Sequence, residues 1–173
     1  MIDDRQLESL YDEYAQRLFG YLLTFTRRDA DAPDLLQDIF VKLARNPRCL
    51  DKVTSLRAFL FRMAHNLAID WSRRSRSRRE RTDGLAAEAD ESDFLTATTD
   101  PDAEIFREHL ETALSTLPDD QRPAVYLKLW GELTAEQIGE VCDIPTNTVS
   151  SRYRYGIEKL RRALRPVYDE IND

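Results

Sequence analysis

Hydrophobic positions recur every three or four residues along most of the chain, the repeat of helices that bury one face. Leu7, Leu10, Tyr11, Tyr14, Leu18, Tyr21 and Leu22 predict a first helix, capped by Asp3 or Asp4 and running to about Arg28. Asp31 opens the run D-A-P-D, with Pro33 in the first turn of a second helix and Asp34 near the positive end of its dipole. Leu35, Leu36, Ile39, Phe40 and Leu43 form that helix's buried stripe. It stops near Asn46-Pro47, because the residue before a proline is pushed out of helical geometry. A loop from Asn46 to Thr54 follows. Ser55 then caps a long third helix with Leu56, Leu60, Met63, Leu67 and Trp71 facing one way.

Periodicity is lost over residues 82–100 and returns at Asp100-Pro101, a cap with proline at the first helical position. Ile105, Phe106, Leu110, Ala113, Leu114 and Leu117 give the next helix, broken by Pro118. Another covers about Asp119 to Trp130 and ends at Gly131. Thr134 to Gln137 is a capping-box pattern that opens a short helix to Cys142. Asp143-Ile144-Pro145 makes a turn, and Thr146 caps a last helix stopped by Pro166. No strand-like alternation and no internal repeat is present. The expected fold is all-α, with a three-helix domain at 1–81 and a four-helix domain at 104–173. A flexible acidic linker at 82–103 joins them.

Composition narrows the function classes. Only 5 of 173 residues are glycine, which disfavours glycine-rich phosphate loops. Cys49 and Cys142 offer neither a disulfide framework nor a metal spacing. The acidic, amphipathic N-terminus is unlike a signal peptide, and no apolar run reaches the roughly 18 residues of a membrane span. A soluble cytoplasmic protein is expected. The net charge of −7 argues against a nucleic-acid partner until its distribution is seen. Residues 1–81 are net +4, residues 82–104 are net −8 and residues 105–173 are net −3. A polyanion responds to the local patch, not to the whole-chain sum.

Two constellations carry candidate chemistry. A short helix, a three-residue turn and a longer helix make a helix-turn-helix, with Ile138, Val141, Ile144 and Val149 as its inner residues. The last helix has a core line at Val149, Tyr153, Ile157, Leu160 and Leu164. Its opposite face holds Asn147, Thr148, Ser151, Arg154, Tyr155 and Arg162, side chains able to reach base edges or phosphates in a major groove. Thr146 and Thr148 lie where a helix N-terminus can hold a phosphate. The plainer alternative is a helical hairpin with a solvated basic face.

On the third helix, Arg62, Asn66, Ile69 and Arg73 share one stripe, flanked by Phe61 and His65. Arginine, asparagine and exposed aromatics suit a strand with unstacked bases. Six arginines from Arg73 to Arg81, Arg74 among them, add phosphate attraction; a solvated charge run is the alternative. His65 has no ligand or carboxylate partner at a useful spacing, and His109 reads as a surface residue. Asp34 and Asp38 share a face of the second helix, where a surface for a basic partner is favoured over a metal site.

Three motifs in this order resemble a known family. D-A-P-D-L-L-Q-D-I-F-V-K-L (31–43), L-R-A-F-L-F-R-M-A-H-N-L-A-I-D-W-S-R-R (56–74) and the long run from Leu114 to Arg154 resemble, in turn, the core-gripping, promoter-melting and fourth conserved regions of extracytoplasmic-function (ECF) sigma factors, group 4 of the sigma-70 family of bacterial RNA polymerase. The resemblance covers about residues 5–165. It implies that Asp34, Gln37, Asp38 and Phe40 dock on the clamp helices of the largest polymerase subunit. It implies that the loop with Val53, Thr54 and Ser55 captures a flipped minus-ten base, while Arg62, Asn66, Arg73 and Arg74 hold the non-template strand. The linker would thread toward the active-site and RNA-exit channels. The C-terminal domain would sit near the beta flap and bind the minus-thirty-five duplex through Thr146, Asn147, Thr148, Ser151, Arg152, Arg154 and Tyr155. An anti-sigma partner is implied as well, with no cofactor and no catalysis. The family often has glycine where Asn147 stands and a basic residue where Ser150 stands.

Two other classes compete. A stand-alone helix-turn-helix regulator explains 105–165 but leaves the second and third helices unused. A small metal-dependent enzyme built on Asp31, Asp34 and Asp38 lacks a histidine or carboxylate counterpart on a neighbouring segment.

Overall fold

The computed structural model describes residues 3–27, 30–82 and 101–172, all of whose regular structure is helical. The chain divides into two compact units, Met1–Ser92 and Asp93–Asp173. The acidic linker expected at 82–103 falls, over 83–100, outside the described residues.

Unit 1 packs three helices: α1 (Asp4–Thr26), α2 (Ala32–Arg45) and α3 (Leu56–Arg81). Asp3 caps α1 in a capping box, accepting from the Gln6 N–H at 2.8 Å while its own N–H donates to Gln6 Oε1 at 3.1 Å. The helix stops two residues sooner than the periodicity suggests. Arg27 turns left-handed at φ 51° and donates its N–H to the Leu23 carbonyl. Asp31 makes no side-chain cap; Pro33 in the first turn of α2 fixes the helical φ there instead. Within the expected 46–54 loop lies a short 3-10 helix, Pro47–Leu50. Ser55 caps α3, its Oγ accepting from the Ala58 N–H at 3.3 Å.

The core of unit 1 is Leu18, Tyr21 and Leu22 of α1, Ile39 and Leu43 of α2, and Leu60, Phe61 and Ala64 of α3. Tyr11, expected in the buried stripe, is 49% exposed. It lies in the N-terminal part of α1, where the buried residues of the helix begin only at Tyr14.

Unit 2 contains α4 (Pro101–Thr116), α5 (Arg122–Leu129), α6 (Ala135–Cys142) and α7 (Thr146–Asn172). Ala113, Leu114 and Leu117 of α4, Val125 of α5 and Leu160 of α7 form its centre. Leu110, Trp130, Tyr153, Ile157 and Leu164 pack around them. Ile105, counted in the core stripe, is 45% exposed. Helix α5 starts at Arg122 rather than near Asp119, which places Pro123 in its first turn, where the missing N–H has no partner to lose. Arg122 is buried and caps the end of α4. Its Nε donates to the Leu114 carbonyl at 3.2 Å and its Nη2 to the Leu117 carbonyl at 2.7 Å. Arg107 and Glu111 form a buried pair at 2.5 Å on α4.

Two further boundaries differ from expectation. Thr146 is the first residue of α7, with the Val149 N–H donating to the Pro145 carbonyl, so the cap lies one residue earlier. Pro166 does not stop α7, which continues through it to Asn172. A proline's cost, its lost N–H bond and the clash of its ring with the carbonyl four residues back, is confined to one turn, and Val167 and Ile171 extend the half-buried line of Ile157 and Leu164 beyond it.

Candidate nucleic-acid interface

The helix-turn-helix of unit 2 is built from caps and close approaches. Thr134 and Gln137 form a reciprocal capping box, Gln137 N–H to Thr134 Oγ1 at 3.2 Å and Thr134 N–H to Gln137 Oε1 at 3.0 Å. At the other end of α6, Asp143 takes the left-handed conformation at φ 55° and ψ 51°. The turn then closes tightly: the Ile144 N–H donates to the Gly139 carbonyl at 3.0 Å, and a Cβ on Gly139 would meet the Ile144 carbonyl oxygen at 2.8 Å. Glycine is needed at 139 because backbone occupies the side chain's place. Ile138, Val141 and Val149 are buried and set the two helices against each other.

That packing presents the outer face of α7. Thr146, Asn147, Arg154 and Tyr155 are exposed, while Thr148, Ser151 and Arg152 are half-buried. The Ser151 hydroxyl donates to the Asn147 carbonyl at 3.0 Å, which leaves its oxygen free to accept. The Arg154 guanidinium stacks 5.1 Å over the Tyr155 ring. Arg152 stands apart from this face: its Nε lies 3.8 Å from Asp120 Oδ2, in the turn before α5. Arg162 pairs with Glu158 one turn earlier on the same helix.

In unit 1, α3 exposes Arg62, Asn66, Arg73 and Arg74, with Ile69 half-buried. The two aromatic flanks of this stripe are corrected. Phe61 is fully buried and His65 is 8% exposed, so neither is available to stack on a base. Helix α3 packs against both α1 and α2, and a helix with two neighbours buries a wider arc than one apolar stripe marks out. His65 Nδ1 and Tyr21 Oη are 2.8 Å apart, with Phe25 against both rings. Burial without a charge partner pulls the His65 pKa down to about 4.

Ahead of α3, Thr54 is exposed and Val53 is half-buried, while Ser55 spends its oxygen on the α3 cap. On α2, Asp34, Gln37 and Asp38 are exposed in a row; Phe40 is 8% exposed with its ring 4.9 Å from that of Tyr11. Sequence reasoning missed the open apolar groove between α1 and α2, about 710 Å³, lined by Tyr11, Phe19, Asp34, Gln37, Phe40 and Val41. Its only signal was an aromatic at 11 and another at 19, both readable as core. Burial pushes the Cys142 thiol up to about 12, so it is no nucleophile. Among the described residues no helix is long and apolar enough to cross a membrane.

The comparisons with known proteins follow these two surfaces. Residues 10–79 match Sigma-70 region 2, and residues 113–162 match Sigma-70 region 4. The RNA polymerase sigma factor CarQ of Myxococcus xanthus is 32% identical over 95% of this chain and 92% of its own length. The ECF RNA polymerase sigma-E factor of Haemophilus influenzae is 27% identical over 95% of this chain and 90% of its own. The ECF RNA polymerase sigma factor SigL of Mycobacterium tuberculosis is 29% identical over 93% and 90%. Among solved structures, the sigma factor RpoE of Bartonella quintana, crystallised with the anti-sigma factor NepR, superposes with a TM-score of 0.75. It covers 95% of this chain and 98% of that one at 22% identity, a likeness of fold.

Proposed function

This chain belongs to the ECF RNA polymerase sigma factors of the sigma-70 family, and from that premise we propose how its surfaces divide promoter recognition. Sigma factors of this family act with RNA polymerase in promoter-specific transcription initiation, and this chain does the same. It acts in the cytoplasm as a dissociable polymerase subunit without catalysis of its own. The row Asp34, Gln37 and Asp38, with Phe40 beneath it, docks on the clamp helices of the largest subunit. Val53 and Thr54 border the pocket for a flipped minus-ten base, with Ser55 holding the start of α3 behind them.

Arg62, Asn66, Arg73 and Arg74 hold the non-template strand through phosphate and base-edge contacts. Thr146 and the face Asn147, Thr148, Ser151, Arg154 and Tyr155 meet the minus-thirty-five duplex, with unit 2 near the beta flap. Arg152, tethered to Asp120, supports that face from its edge. An anti-sigma factor holds the free subunit, by analogy with the Bartonella quintana pair. Region boundaries follow as 1–81, 82–103 and 104–173.

The single observation that carries this reading is the presence, in one chain, of a region 2 match over the arginine-bearing helix and a region 4 match over the helix-turn-helix. A stand-alone regulator would need only the second. Run-off transcription from a genomic fragment library, with core polymerase plus and minus the chain, tests it. Transcripts dependent on the chain and sharing two upstream elements are expected. Failure to associate with core polymerase would overturn the reading.

A further inference from the structure

Over the first three turns of α7, one arginine has no acid paired with it among the described residues. Of the two arginines between Thr146 and Tyr155, Arg152 leans on Asp120, its Nε 3.8 Å from the carboxylate. Arg154 is exposed, and among the described residues no ion pair engages it. Glu158, four residues on, stands at the spacing of a helical ion pair with Arg154. It pairs instead with Arg162 in the following turn. The Arg154 guanidinium lies over the Tyr155 ring, 5.1 Å from its centroid. That ring is itself 51% exposed, so the stack belongs to the surface and not to the core.

The side chains around Arg154 differ from it in chemistry. At 100° per residue, Asn147, Ser151 and Arg154 share one side of the helix. Ser150 and Ser151 each donate a hydroxyl to the carbonyl four residues back, at 3.2 and 3.0 Å, which leaves oxygens that accept. Asn147 carries both a donor and an acceptor. Among these four side chains only Arg154 offers a planar fork of donors with no acceptor. In a major groove that fork matches guanine, which shows two acceptors, N7 and O6. Adenine shows a donor beside its N7, and cytosine shows a donor. Arg154 stands seven residues after Asn147, about 10 Å along the axis, so the two address different base pairs. A guanidinium on a long stem loses freedom when it binds. Stacking on Tyr155 takes part of that loss before DNA arrives.

We propose that Arg154 is a specificity-determining residue of the minus-thirty-five contact, reading one guanine through N7 and O6, and that Tyr155 is the positioning residue that holds its guanidinium. This rests on the assignment of the outer face of α7 to the minus-thirty-five duplex.

The test presents holoenzyme with duplexes randomised over the minus-thirty-five element and sequences the bound DNA. Wild type is expected to prefer guanine at one position by about tenfold, the scale of one bidentate base contact. Arg154→Gln should lose that preference and keep those at the other positions. Tyr155→Leu keeps Arg154 but removes the ring, and should lower the guanine preference about two- to fivefold, the scale of an exposed cation–π contact. Tyr155→Phe, which keeps the ring, should retain the wild-type preference. A guanine preference that survives Arg154→Gln overturns the proposal. So does an Arg154→Gln chain that binds every sequence more weakly to the same extent, the mark of a phosphate contact, or one that changes the preference for a base other than guanine. A Tyr155→Leu chain with the wild-type preference overturns it as well. A wild-type holoenzyme that selects no duplex sequence at all would instead overturn the assignment underneath.

Discussion

At the scale of single residues, similar-looking side chains divide sharply by burial. Asn66 and His65 are neighbours in sequence, yet one is exposed and the other sits in the core against Tyr21. Asn66→Ala is expected to slow promoter opening by about tenfold, the scale of one lost base contact, while binding to core polymerase is unchanged. Fluorescence-detected opening set beside core affinity checks it. His65 titrates with the opposite emphasis. Its folded pKa, about 4, lies below the ordinary value of 6.5, so the unfolded chain takes up its proton first. The stability of unit 1 is therefore full above pH 6.5 and falls as pH drops from 6.5 toward 4, by at most about 1.4 kcal/mol per pH unit from this group. Urea melts across that window, on wild type and His65→Phe, should give a shallower pH dependence for the variant. Arg122 is the residue least legible beforehand. An arginine opening a helix reads as surface, but this one is 3% exposed and binds the α4 carbonyls. Arg122→Met is expected to cost about 3 kcal/mol in chemical unfolding of unit 2, because those carbonyls lose their donor inside the fold.

At the scale of elements, three caps and the ends of α2, α4 and α6 were legible, while the ends of α1 and α7 were not. Asp3, Ser55 and Thr134 all act as the caps their chemistry suggests, since a side-chain oxygen that accepts from the N–H three residues on acts locally. Pro166 misled because the cost of a proline is local while the benefit of continuing α7 comes from its half-buried line. Gly131 and Glu132 show the same mixture after α5. Glu132 takes the positive φ, 53°, while Gly131 is required because a Cβ there would lie 2.6 Å from the Leu127 carbonyl oxygen. In the helix-turn-helix, Gly139→Ala should force α6 away from the Ile144 carbonyl, destabilise unit 2 by about 1 to 3 kcal/mol and weaken minus-thirty-five binding with it. Thr134→Ala should cost about 1 kcal/mol of the same transition and leave DNA contacts intact, so thermal melts and duplex binding together separate the two effects.

At the scale of the whole molecule, two units carry two surfaces, and the proposed DNA contacts fall one on each. Asn66→Ala and Arg154→Ala are therefore expected to multiply in their effects on run-off transcription, with free energies adding to within about 0.5 kcal/mol. A clear departure from that product in the double variant would mean that the two surfaces do not act independently. Much of this organisation was determined by the sequence alone. The three- and four-residue repeats, the caps, the loss of periodicity after Arg81 and the segregation of charge are all local or additive properties, readable without neighbours. Tertiary structure decided what depends on which faces meet. It buried Phe61 and His65 by packing α3 against two helices at once, opened the groove between Tyr11 and Phe40, drew Arg152 toward Asp120 and put Arg122 inside. A periodicity marks that a helix has an apolar face; only its neighbours determine how wide an arc of that face is covered.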